Sequence, residues 1–327
     1  MAGSEGESIA AARVRMRRKI RLGAWSFPRF RAFSSSEKMY PSKRVAILVA
    51  SPLALILFAA LVIPAGTFFV FSFLSFNLRQ AQADLTLENY VVALTDPLYR
   101  RLAWNTLLIA APTTLFSVLG GYLIAYYLAF SAVRSRNPLL ALVVFSMLAS
   151  YLVRIYAWRT ILGEQGILNS ALIAFGLTDG PIELLLFSRT AVIVAQVNLI
   201  LPFTTLLLYS SLLSISQDIR ESASDLGAAP GEVIRRIVIP LSGTALLSAT
   251  AFTLFVSAGD FVTPVFLGGI NSATFGTAIA DELRVTSNYA LGSALSFVML
   301  FAFAVMYVLA RFVMRFVGFL PPIGTQR

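Results

Sequence analysis

Residues 221–240 read ESASDLGAAPGEVIRRIVIP, five ionic groups set between two long apolar runs. With a period of 3.6, Asp218–Leu226 reads as one short helix, with Asp218 and Glu221 near its amino end, where the helix dipole favours anions. Gly227 stands where a left-handed cap usually closes a helix, because it lacks the Cβ that makes that conformation costly. Pro230 suits the first turn of a second helix. In that helix Val233, Ile234, Ile237 and Val238 can face one side while Glu232, Arg235 and Arg236 face another, and Pro240 ends the piece. The stretch therefore reads as a helix–turn–helix lying across a membrane surface. The residues alone leave two explanations open: a connector seated in lipid headgroups, or a handle for another protein.

The rest of the chain supplies the membrane. Of 327 residues 57% are hydrophobic and 13% charged, and mean hydropathy is +0.79. About a quarter of a soluble domain is charged, so this composition suits a lipid solvent. A spanning helix needs about 20 mainly apolar residues to cross ~30 Å of hydrocarbon. Six stretches qualify, near 45–73, 104–130, 138–160, 190–214, 243–266 and 290–314. Backbone groups in hydrocarbon must be satisfied within the segment, so the expected class is an all-α integral membrane protein. Thr86 is a candidate cap before LENYVVAL, and ILNSALIAFGL reads as a short helix between glycine-punctuated loops.

Charge sets the orientation. If the amino terminus is inside, 19 of the 26 Lys and Arg fall on the inner side and 6 on the outer, with Arg154 inside the third span. Both termini are then cytoplasmic, and the opening stretch faces the cytoplasm between the fourth and fifth spans. The expected organisation is a basic tail over 1–44 with its cluster at Arg13–Arg21, a six-helix domain over 45–316, and a short tail over 317–327. The excess of basic residues crowds the tail and the ends of apolar runs, which fits anionic lipid better than nucleic acid. With no Cys and no His, thiolate and imidazole nucleophiles, disulfides and ordinary zinc sites are excluded. A non-catalytic protein becomes the favoured reading.

ESASDLGA followed by VIP resembles the EAA loop of ABC-transporter permeases, whose pattern is roughly E-A-A-x-x-x-G and then I-x-L-P. Glu221, Ala223, Gly227, Ile237 and Pro240 match, and Ser222 replaces an alanine. YLVRIYAWRTILGEQGILN (151–169), LPFTTLLLYSSL (201–212) and GDFVTPVFLGG (259–269) resemble segments of spermidine/putrescine-type permeases, so the likeness covers about 45–316. The resemblance implies a subunit of a bacterial inner-membrane importer that forms half of a solute pathway. It also implies a second homologous permease of a different sequence, two cytoplasmic ATPase subunits carrying ATP and Mg, and a periplasmic solute-binding protein. The chain itself is expected to hold no cofactor, and it lacks a G-x-x-x-x-G-K-[ST] loop. By the same resemblance Glu221, Ala223, Asp225, Gly227, Ala228 and Arg235 form the ATPase-coupling surface.

Polar groups inside spans are costly and so are candidates for function. Arg154 sits among Tyr151, Tyr156 and Trp158, where it can either line a pathway or reach the interface within an aromatic belt. Asp260 can attract a cation or pair with an arginine. A polyamine-like solute would favour a carboxylate with aromatic faces, which Asp260 and the aromatic cluster fit and Arg154 does not. Two rivals remain. An ion-driven secondary transporter calls for paired intramembrane ionisable groups and more spans. A membrane scaffold would dock a partner other than an ATPase.

Overall fold

A computed structural model of the chain describes residues 43–75, 84–131, 135–182, 185 and 187–319. The basic cluster at Arg13–Arg21, with nearly all of the 1–44 tail, and the end of the carboxy-terminal tail lie outside the described residues. Everything described is helix, turn or loop, apart from an isolated antiparallel bridge between Leu74 and Leu85.

Among the described residues four helices are long and apolar enough to cross a membrane unbroken. They are α1 (Lys43–Phe71), α3 (Pro97–Tyr126, continued by a π-helical turn over Tyr127–Ser131), α7 (Arg189–Leu212) and α14 (Tyr289–Phe316). Two further candidates are bent pairs. Helix α4 (Arg136–Leu148) leads into α5 (Tyr151–Leu162) and α6 (Ile167–Ala174) through a 93° bend. The segment Pro230–Leu241 meets α11 (Gly243–Gly259) at 70°. The count is thus four, or six if each bent pair is one span.

The continuous third span expected over 138–160 is broken at Ala149 and Ser150, whose backbones are extended (ψ 132° and 138°). The fifth, expected over 243–266, stops at Gly259, and a separate helix, α12 (Val262–Leu267), follows Asp260. Hydropathy runs unbroken through the first site, so composition alone does not register that break, whereas Gly259 and Asp260 mark the second.

Helix α3 is the hub. It lies close to α7 because Gly120 and Gly121 face that helix; a Cβ on Gly121 would stand 3.0 Å from Thr204 Cγ2. Small residues bring helices together where lipid tails supply no hydrophobic contrast. Polar links reinforce the bundle: Thr204 and Thr253 share a hydrogen bond of 3.1 Å, and Thr113 donates to Gln196 Oε1 at 3.3 Å.

Three apolar clusters follow. One joins α3, α5, α7 and α12 around Ile109, Ile155, Val192 and Leu267. A second joins α3, α7, α11 and the opening stretch around Ala125, Leu208, Val233 and Val238. The third ties α2 (Glu88–Thr95) to α3, α13 (Phe275–Arg284) and α14 around Tyr99, Phe275 and Leu295. The N-cap position of α2 falls on Leu87, one residue after the expected Thr86, and Thr86 Oγ1 still accepts from Glu88 N at 3.1 Å.

Candidate functional site

The opening stretch folds as its pattern requires. Helix α8 (Gln217–Asp225) is capped by Ser216, whose Oγ accepts from Asp218 N at 3.2 Å. Gly227 adopts φ +85°. Its N–H donates to Ser224 O at 2.9 Å and that of Ala228 to Ala223 O at 3.1 Å, the paired bonds of a Schellman turn. The chain then enters α9 (Pro230–Val233), a π-helical turn over Ile234–Val238 and α10 (Ile239–Leu241). Pro240 lies inside this last piece rather than ending it.

The six residues assigned to this surface divide in two. Ala223 and Ala228 are half-buried and pack on the second apolar cluster. Glu221, Asp225, Gly227 and Arg235 are exposed, and Leu226 projects from the turn with 89% of its surface free. Arg236 pairs with Glu232 at 3.3 Å, whereas Arg235 has no carboxylate within ion-pairing distance among the described residues. A chain crossing lipid thus presents a bent, ionic tip ending in a bare leucine.

The other candidates gather at the two helix breaks. Asp260 caps α12: its Oδ1 accepts from Val262 N at 2.9 Å and Thr263 N at 3.2 Å. The same oxygen accepts from Tyr151 Oη at 2.6 Å, and Oδ2 accepts from Gln196 Nε2 at 3.0 Å. Gln196 is 1% exposed and is held in turn by Ser257, whose hydroxyl donates to Oε1 at 2.6 Å. One carboxylate therefore links α5, α7, α11 and α12. It lines a groove of about 350 Å³ with Tyr151, Gln196, Phe255 and Phe261. Among the described residues no arginine lies within ion-pairing distance of Asp260.

Arg154 faces elsewhere. Its Nε donates to Ala149 O at 3.3 Å, and a terminal nitrogen donates to Ala149 O at 3.0 Å and Met147 O at 3.4 Å. These carbonyls end α4 at the break, where backbone acceptors without partners are costly in lipid. Arg154→Ala is expected to lower stability by about 2–4 kcal/mol, since hydrogen bonds to charged groups contribute ~1.5–3 kcal/mol each. Arg154→Lys should retain part of that. Thermal unfolding of the purified protein in detergent reads the difference, and unchanged midpoints would remove the capping role.

Tyr156 packs its ring edge-on against Phe266 at 5.5 Å, and Trp158 donates to Asn198 Oδ1 at 3.2 Å. The structure thus joins Tyr151 to Asp260 and sends Arg154, Tyr156 and Trp158 to separate partners. Gln196 is the residue the sequence reading missed. Its signal was available, an amide within the apolar run TAVIVAQVNLIL.

No family model matches the chain. Curated relatives do. The spermidine/putrescine transport system permease protein PotB of Haemophilus influenzae is 34% identical over 212 residues, which cover 65% of this chain and 73% of the relative. The protein of the same name from Escherichia coli K12 is 32% identical over 211 residues, covering 64% of this chain and 76% of its own. Among solved structures, a bacterial ABC transporter involved in import of the acidic polysaccharide alginate superposes with a TM-score of 0.65 at 18% identity, covering 84% of this chain and 96% of that one.

Proposed function

The chain belongs to the spermidine/putrescine-type permease family of ABC transporters, and from that premise we propose that it is the membrane subunit of a bacterial importer in which α8 is the coupling helix. In this reading six spans cross the inner membrane, both bent pairs included, and both termini are cytoplasmic. The stretch 217–241 then faces a cytoplasmic ATPase. ATP and Mg belong to that partner, a second permease completes the pathway, and a periplasmic binding protein delivers the solute.

One observation carries the reading. Gly227 closes a turn that leaves Leu226 bare and Glu221 and Asp225 exposed at the rim of the cleft between α8 and the end of α3, while Ala223 and Ala228 on the same turn pack into the bundle. A connector seated in headgroups would turn its apolar residue toward lipid and scatter its acids. A handle needs an exposed gripping face and a rigid root. ATP-driven closure of the partner would pull α8, and α9, α10 and α11 would follow through the 70° bend.

For the solute we propose a polyamine-like or related small organic cation. The groove around Asp260 supports this, because it offers a carboxylate beside the ring of Tyr151, the combination that holds a cation by charge and by ring face. Phe261, by contrast, already carries the Arg284 guanidinium at 4.9 Å, and Phe255 stacks on Phe303 at 4.8 Å. The charge of Arg154 is directed at the α4 carbonyls, which lessens its conflict with a cationic solute. Tyr156 and Trp158 would shape the pathway wall from α5.

Affinity purification of the full chain from its native membrane is expected to retain a soluble ATP-hydrolysing subunit and a second permease. A properly inserted chain recovered alone, with solute flux indifferent to ATP, overturns the reading.

A further inference from the structure

Between α8 and the end of α3 lies a cleft of about 410 Å³, lined in part by Tyr126, Phe130, Gln217 and Arg220. Arg220 reaches the far wall. Its guanidinium carbon sits 4.0 Å from the centroid of the Phe130 ring. Phe130 belongs to the π-helical turn that ends α3, and Tyr126 steadies it edge-on at 5.0 Å and 71°. Arg136 donates to Leu128 O at 3.0 Å and Ala129 O at 2.8 Å, pinning the backbone beside Phe130.

The guanidinium has no competing engagement. No carboxylate lies within ion-pairing distance among the described residues, and its buried Nε has no hydrogen-bond partner. A guanidinium is weakly hydrated and planar, so it stacks readily on an aromatic face. Apolar contacts of this stretch with the bundle run through the small side chains of Ala223 and Ala228 and through Val233, Ile237 and Val238. Such contacts resist separation but offer little against sliding.

We propose that Arg220 is a positioning residue for coupling: stacked on Phe130, it makes α8 and the end of α3 move as one body, so that a pull on α8 reaches the α3–α7 pair as well as α11. This inference rests on the coupling role proposed for α8. It adds a second route to the one through the α10–α11 bend.

The chain has no cysteine, so spin labels at Ser222→Cys and Ser131→Cys report the α8–α3 distance without background from it. Partner subunits should carry no reactive cysteine of their own. In the assembled transporter the label distance is expected to be narrow and the same with and without ATP. Arg220→Ala and Phe130→Leu should each broaden it and shift it on ATP addition, their combination should do no more than either, and Phe130→Trp should restore the narrow distribution. A distance that shifts with ATP in the otherwise native chain, or one that stays narrow in Arg220→Ala, overturns the strut. A third label at Val285→Cys tests the premise separately. If ATP leaves α8 fixed relative to that position, the coupling role fails whatever Arg220 does.

Discussion

Gly227→Val is expected to lower ATP-driven uptake at least about ten-fold while leaving the chain inserted in the membrane. A Cβ at this position would meet nothing within 4 Å, so crowding contributes nothing to the loss. The cost lies in the backbone. Gly227 holds φ +85°, a left-handed conformation that costs an ordinary L-residue ~1–2 kcal/mol and a β-branched one more. Relaxing toward negative φ would break the bonds from Gly227 N to Ser224 O and from Ala228 N to Ala223 O. The tip bearing Glu221, Asp225 and Leu226 would then swing relative to Pro230–Leu241. Gly227→Asn, which tolerates that conformation, should keep most of the uptake. Glu221→Lys tests the charge instead of the bend. It leaves the Schellman turn untouched and should release the ATPase during purification. Full uptake by Gly227→Val, per molecule inserted, would remove the mechanical role of the turn.

The contrast between this turn and the two helix breaks shows what a sequence reveals. The hydrogen bonds that shape the turn within 217–241 are local. Ser216 caps two residues on, Gly227 closes onto Ser224, and Glu232 accepts from Ala229 N at 3.4 Å. Short-range spacing therefore predicts it. The break at Ala149–Ser150 has no glycine or proline to mark it, and its neighbours LASYLV are as apolar as any span. It is fixed by Arg154, five residues away, and by Tyr151, whose partner Asp260 lies 109 residues along the chain. Arg154 was conspicuous as an intramembrane charge. Its targets were not, because backbone carbonyls become acceptors only once the helix has ended. Arg220 and Phe130 are 90 residues apart and carry no pattern linking them.

Asp260 carries the other large expected effect, and two substitutions separate its possible roles. Asp260→Ala removes the acceptor of four donors at once: Tyr151 Oη, Gln196 Nε2, Val262 N and Thr263 N. Helix α12 loses its cap and Tyr151 of α5 its bond to Asp260, so uptake should fall about a hundred-fold or more, with much less protein in the membrane. Asp260→Asn preserves the shape. Its carbonyl oxygen can keep the Tyr151 and backbone bonds, but its amide nitrogen then opposes Gln196 Nε2. Turning Gln196 over would forfeit the 2.6 Å bond from Ser257, so the asparagine variant should lose about 1–3 kcal/mol and still fold. If the carboxylate attracts a cationic solute, Asp260→Asn should also lower uptake per inserted molecule ten-fold or more, because the groove has lost the one carboxylate that lines it among the described residues. Tyr151→Phe provides the control: it removes the hydroxyl's bonds to Asp260 and Thr263 and leaves the charge in place, so uptake per molecule should fall only a few-fold. Equal uptake per molecule by the aspartate and asparagine forms would make Asp260 a cap for α12 and nothing more, and the case for a cation in that groove would go with it.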